Sequence, residues 1–213
     1  GFPRSGTTLL DTILRTHSQI HVLEEKPFLL NIRHNFFKSK KNDLESIKFI
    51  TQQEKDNIRK EYFNNVRLSK LTNKKLIIDK FPLSIIELGF IKTIFPNSKI
   101  ILAMRHPCDV ITSCLFSAFK INDAMVNFLK LNDTIKFYNE VFDLFEFYEK
   151  ELHLKYFMIK YENVISNFQN QISSLLKFLD IDYEKNLEKF YITAKKRERI
   201  STPSYNQVIN PLY

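Results

Sequence analysis

Two spacings alternate along this chain. Short unbroken apolar runs, Ile20-His21-Val22-Leu23, Leu76-Ile77-Ile78-Asp79, Lys99 to Met104 and Tyr156-Phe157-Met158-Ile159, lie between longer stretches whose apolar residues recur at helical period. A run that is apolar throughout, as Ile100 to Met104 is, predicts a strand covered on both faces. The helical stretches carry Leu9, Leu10, Ile13 and Leu14, then Leu83 to Phe95 before Pro96, then Val110, Cys114 and Leu115 behind Pro107. A long helix is expected from Asp123 to about Glu151 on Phe128, Ile135, Phe142 and Phe145, and another, capped at Ser166-Asn167-Phe168-Gln169, through Leu175, Leu176 and Leu179. Strand and helix in alternation predict an α/β fold, a parallel sheet flanked by helices.

Between these elements the pattern changes twice. Glu24-Glu25-Lys26-Pro27 reads as a strand tip entering a proline-stopped loop. From Asn31 to about Asn73 the chain is polar and rich in Lys and Asn, with a capping box at Thr51-Gln52-Gln53-Glu54 opening a helix towards Leu71. That segment is expected to be a helical insertion in a single domain over residues 1–213, and the tail from Ile200 to Tyr213 a loop.

The first eight residues, Gly1-Phe2-Pro3-Arg4-Ser5-Gly6-Thr7-Thr8, change the picture most. They have the G-x-x-x-x-G spacing of a P-loop, with Thr7 where a nucleotide hydrolase carries lysine. Gly6 permits a backbone angle and close anion approach that a side chain blocks. The amides of Gly6, Thr7 and Thr8 would open the first helix and aim its positive end at an anion. A plain Gly-capped turn is the alternative for these residues taken alone. In an open parallel sheet, ligands bind beyond the carboxyl ends of the strands, and there the chain places Arg4, Glu25, Lys80, Arg105 and Tyr161. Three cations, a carboxylate and a phenol at one edge fit a multiply anionic ligand beside a general base.

Composition narrows the partners. A net charge of +8 and a pI near 9.3 suit an anionic ligand, although most of the 32 Lys and Arg residues are expected simply to solvate helix faces. No basic and aromatic platform indicates a nucleic-acid partner, and no apolar run reaches membrane-spanning length. Cys108 and Cys114 fit neither a metal spacing nor a disulfide framework and are expected to be reduced. A P-loop is fed by a strand, and the chain begins at the motif, so a fragment is expected, lacking the first strand of the sheet.

In their order, Pro3 to Thr8, Glu24-Glu25, Asp79-Lys80-Phe81-Pro82, Phe95 to Lys99, Arg105 to Ser113, Tyr161-Glu162, Thr202-Pro203-Ser204 and Gln207-Val208 resemble the sulfotransferases that use 3′-phosphoadenosine-5′-phosphosulfate (PAPS). The branch most similar contains tyrosylprotein sulfotransferases and bacterial relatives that often carry tetratricopeptide repeats. The resemblance implies the sulfotransferase fold, with PAPS as co-substrate and no metal. It implies that Arg4, Ser5, Gly6, Thr7 and Thr8 hold the 5′-phosphosulfate, with Arg4 also catalytic, and that Arg105 and Ser113 hold the 3′-phosphate. Tyr161 and Ser204 match positions that touch the nucleotide. Glu25 matches the general base, with Glu24 the alternative, and Lys80 matches the residue that stabilises the leaving group. Glu24, if not the base, is expected to face solvent or pair with an adjacent lysine.

The implied chemistry agrees with the residues present. In-line sulfuryl transfer moves a singly charged group and needs positioning and cationic stabilisation of the leaving oxygen, with less need of a divalent metal than phosphoryl transfer. Three positions depart from the pattern. Pro27 and Ser117 stand where arginines are expected, and the chain ends before the basic segment that closes over the nucleotide. The acceptor is therefore left as a hydroxyl on a peptide, a carbohydrate or a small molecule. Two rivals stand beside the sulfotransferase reading: a non-catalytic or truncated nucleotide-binding module, and a P-loop kinase, which the missing lysine disfavours. A homodimer is left open, and unpaired cysteines with the bacterial resemblance point to a cytoplasmic location.

Overall fold

The computed structural model describes residues 1–68, 76–197 and 208–210. The four apolar runs form the four described strands, β1 (Ile20–Glu24), β2 (Leu76–Lys80), β3 (Ile100–Met104) and β4 (Tyr156–Lys160). They pair in parallel, as their apolar character demands: β1 with β2, Ile20 opposite Leu76 through Glu24 opposite Lys80, and β3 with β4, Ile100 opposite Tyr156 through Met104 opposite Lys160. Among the described residues no ladder joins the two pairs. The segment from Gly1 runs between them. Leu83, just past β2, donates its amide to the Gly1 carbonyl at 3.1 Å, and a Cβ on Gly1 would lie 2.5 Å from the Ala103 carbonyl oxygen on β3. Only glycine permits that approach.

Helices cover both faces, and strand alternation sorts the core between them. Ala103 and Ile159 face one side, with Leu9, Ile13 and Leu14 of α1 (Thr7–Thr16), Ile172, Leu175 and Leu176 of α8 (Phe168–Phe178), and Phe190 of α9 (Phe190–Lys195). Leu102 faces the other, with Val110 and Cys114 of α5 (Pro107–Leu115) and Tyr138, Val141 and Phe145 of α6 (Leu131–Glu151). A third cluster packs α2 (Phe28–Ser39), through Ile32 and Phe36, and α3 (Gln52–Leu68), through Ile58, Tyr62 and Val66, against Leu23 of β1 and Phe90 and Ile94 of α4 (Leu88–Ile94). The polar segment is thus a helical layer on the β1–β2 side. Its capping box is real: Thr51 donates its amide to Glu54 at 2.8 Å, and Glu54 returns its amide to the Thr51 hydroxyl at 3.2 Å.

As expected, β1 ends at Glu24 and a short connection, Glu25-Lys26-Pro27, stops at the proline, which is the N-cap of α2. Three expectations are corrected. The expected helix from Asp123 is broken at Lys130, where the backbone is extended, and α6 buries Thr134, Tyr138, Val141 and Phe145 while Ile135 is exposed. Leu83 to Phe95 begins as a 3-10 turn over Ser84–Glu87 before α4. Ser166 does not cap a helix. It closes α7 (Tyr161–Ser166), its hydroxyl bonded back to the Glu162 carbonyl at 3.0 Å, and α8 starts after Asn167. The expected tail loop falls largely outside the described residues.

Candidate functional site

The loop from Gly1 to Gly6 is shaped by two left-handed residues, Arg4 at φ 68° and Gly6 at φ 88°. At Gly6 a side chain is excluded for a second reason: a Cβ would stand 2.7 Å from Cδ2 of Tyr161. Ser5 is buried, and its hydroxyl donates to the Phe2 carbonyl at 2.7 Å, so this hydroxyl braces the turn. Thr7 then opens α1 on the same side as the strand ends.

The turn brings the arginines together. Arg4 Nε donates to Ser113 Oγ on α5 at 2.8 Å, across 109 residues of sequence. Arg105, following β3, lies with its guanidinium carbon 4.7 Å from the centre of the Tyr161 ring, which follows β4 and also supports Gly6. Burial and the nearby charge of Arg105 push the Arg4 guanidinium below its ordinary value. Arg105 also touches Asp109 at 3.4 Å, while its Nε is buried without a hydrogen-bond partner among the described residues. Arg4, Arg105, Thr112, Ser113 and Ser117 line an open cleft of about 530 Å³, with Cys108 and Phe116 in the same wall. Two guanidinium groups, a hydroxyl and an orphaned buried N–H donor give this cleft the donors that suit an anion, with the Asp109 carboxylate in the same wall.

On the other strand pair, Lys80 ends β2 opposite Glu24, which ends β1. Glu25 turns out of the sheet at φ 49°, its amide donating to the Lys80 carbonyl at 2.7 Å. Its carboxylate accepts from Lys80 Nζ at 2.8 Å and stays partly exposed. Glu24 pairs with the lysine beside it across the strand pair, Lys80, at 3.6 Å, and it also bonds Arg197 and lies 3.9 Å from Arg15. Asp11 of α1, 2% exposed, lies 3.8 Å from Lys80, and its Oδ1 accepts a hydrogen bond from Arg15 Nε at 2.9 Å, with Arg15 Nη2 in ion-pair contact at 2.8 Å. Burial pushes the Asp11 carboxyl up, against Arg15, Lys80 and Arg197.

The residues marked in the sequence therefore gather in two groups: Arg4, Arg105, Ser113 and Tyr161 around the cleft, and Glu25 with Lys80 beside α1. Ser204 lies outside the described residues. Sequence reasoning missed Asp11, Arg15 and Arg197, and also Tyr62, whose hydroxyl donates to Asp79 beside Lys80 at 2.9 Å. One signal was present, an aspartate interrupting the apolar stripe of α1 four residues before an arginine.

Parallel strands, a left-handed glycine leading into a helix, and cations at the strand ends make an α/β domain with a loop of P-loop spacing. The chain belongs to the sulfotransferase family, whose pattern matches residues 1–185. An uncharacterized protein of Aquifex aeolicus (strain VF5) is 26% identical over 222 residues, covering 100% of this chain. Protein-tyrosine sulfotransferase A of Caenorhabditis elegans is 27% identical over 133 residues, covering 58% of this chain. The matches take in only 28% and 35% of those relatives' lengths. Among solved structures, a sulfotransferase domain from the curacin biosynthetic pathway superposes with TM-score 0.59 at 17% identity, over 99% of this chain and 81% of that one. A sulfotransferase domain from the Synechococcus PCC 7002 olefin synthase does so with TM-score 0.59 at 19% identity, over 97% and 80%. These likenesses establish the sulfotransferase fold.

Proposed function

We propose that this chain carries a sulfotransferase centre that transfers a sulfonate group from PAPS to a hydroxyl acceptor by in-line attack. The observation that carries the reading is the Glu25–Lys80 pair at 2.8 Å, set at adjacent strand ends beside α1. Glu25 takes the acceptor's proton as its oxygen bonds to sulfur. The bond from sulfur to the bridging oxygen breaks, and its electron pair leaves with the 5′-phosphate, where Lys80 and Arg4 meet the developing charge. The products are a sulfate ester and 3′-phosphoadenosine-5′-phosphate.

The donor fits the residues present. The 5′-phosphosulfate lies at Arg4 to Thr8 and the start of α1, where Ser5 contributes by bracing the loop. The 3′-phosphate lies in the cleft of Arg105 and Ser113, where the buried Arg105 Nε has an N–H to give. Tyr161 supports the nucleotide side, and Ser204 completes it in the same reading. The acceptor, whether peptide, carbohydrate or small molecule, approaches Glu25 from the side layered by α2 and α3 within a single domain. No helix among the described residues is long and apolar enough to cross a membrane; a cytoplasmic location belongs to the same proposal.

Titration with 3′-phosphoadenosine-5′-phosphate, followed by melting temperature, tests the donor site. Saturable stabilisation of the wild type is expected, with affinity about 10- to 100-fold weaker in Arg105→Ala, the effect of losing charge-assisted hydrogen bonds. Stabilisation by ATP with magnesium, with no response to this nucleotide or to PAPS, overturns the reading. Nucleotide binding without turnover over an acceptor panel favours a non-catalytic module instead.

A further inference from the structure

Lys80 has three carboxylates around it, and the reaction proposed above employs one. Glu25 is closest, at 2.8 Å, Glu24 stands at 3.6 Å and Asp11 at 3.8 Å. Glu24 is engaged by Arg197 and approached by Arg15. Asp11 is different. It is 2% exposed, Arg15 occupies its Oδ1, and its Oδ2 makes no hydrogen bond among the described residues while facing Lys80 Nζ. An Asp–Arg pair four residues apart on a helix is ordinarily a solvated surface pair of small value. Burying one costs desolvation that a surface pair avoids, so its position calls for a role.

That role follows from the order of events at Lys80. When Glu25 accepts the acceptor's proton it becomes neutral. Lys80 loses its nearest countercharge in the step that requires its full positive charge at the bridging oxygen. We infer that Asp11 is a positioning residue for Lys80, its buried carboxylate holding the ammonium charged and aimed at the leaving oxygen while Glu25 is occupied by the acceptor. The inference rests on the sulfotransferase reading. Among the described residues, the charged groups around the pair are Arg15 from α1, Glu24 and Glu25 at the end of β1, Lys80 from β2, Arg197 following α9, and the amino group of Gly1 near Lys80.

Asp11→Asn preserves shape and removes the charge. Losing a buried negative charge makes each neighbouring group release its proton more readily. The kcat/KM profile of the variant against pH is therefore expected to move to lower pH as a whole, by roughly one unit, with kcat falling more than affinity for 3′-phosphoadenosine-5′-phosphate. A role confined to folding lowers the plateau and the melting temperature and leaves both limbs of the profile in place, and that outcome overturns the inference. A second readout needs no turnover. The 13Cε resonance of Lys80, assigned by its loss in Lys80→Arg, is expected to titrate at lower pH in Asp11→Asn than in wild type; coincident curves overturn the coupling. If the wild type transfers no sulfonate, the sulfotransferase reading fails while this titration still decides whether Asp11 holds Lys80. Asp11→Ser, smaller and also neutral, replaces the Asn variant should that one not fold.

Discussion

Cys108 and Cys114 sit six residues apart on one helix and have opposite environments. Cys114 is fully buried, its thiol directed at the Pro3 carbonyl at 3.5 Å, and burial pushes it up to about 12. Cys108 is exposed and lines the arginine cleft. Iodoacetamide at pH 8 is therefore expected to label one thiol in the native protein and two after denaturation, as counted by mass spectrometry. Nucleotide in the cleft should slow the labelling of Cys108. Unchanged labelling of Cys108 contradicts the placement of the nucleotide. Glu25, Lys80, Arg105 and Tyr161 were legible beforehand because each closes or follows a strand, and strand ends can be read from apolar runs. Asp11, Arg15 and Arg197 were not, because a buried charge is defined by neighbours remote in sequence. Arg197 meets Glu24 across 173 residues.

Local chemistry placed the start of α3 correctly and misplaced the start of α8, and packing decided the rest. The start of α3 is written in Thr51 and Glu54 alone. Lys40, together with the Thr51 amide and hydroxyl, pulls the Glu54 carboxyl down to about 2. Because the folded value lies below the ordinary 4.5, Glu54 stabilises the fold above that pH, and the contribution is lost as pH falls towards about 2. Glu54→Gln should therefore unfold at lower denaturant concentration than wild type at pH 7, with the two midpoints converging near pH 2. A constant gap across that range would refute the capping account. For α6 the apolar residues offered more than one stripe, and contact with α5 and the 3-10 turn over Met125–Leu129 selected Tyr138, Val141 and Phe145 over Ile135. At Ser166 two short helices meet, and the side chain serves the earlier one.

Across the whole molecule, the phosphate-type loop is anchored by its own second residue. Phe2 is fully buried, with ring centres 5.1 Å from Tyr138, 5.6 Å from Phe137 and 5.7 Å from Phe128. Phe2→Ala is expected to cost about 3–5 kcal/mol in denaturant unfolding. It should also weaken nucleotide binding, although Phe2 lies outside the cleft, because Arg4 and Gly6 take their geometry from the turn it anchors. Unchanged affinity in a destabilised variant would separate the loop from its anchor. The α/β class and the parallel pairing were legible from the apolar runs. The separation into two strand pairs was not, since which strands bond each other depends on the chain between them.

The site draws its residues from both strand pairs. Glu25 and Lys80 ride on β1 and β2, the pair that α2 and α3 cover; Arg105 and Tyr161 ride on β3 and β4, with Ser113 on the adjoining helix. On the sulfotransferase reading proposed above, changes to α2 and α3 would alter the surface offered to an acceptor while leaving β3 and β4, with Arg105 and Tyr161 at their ends, in place.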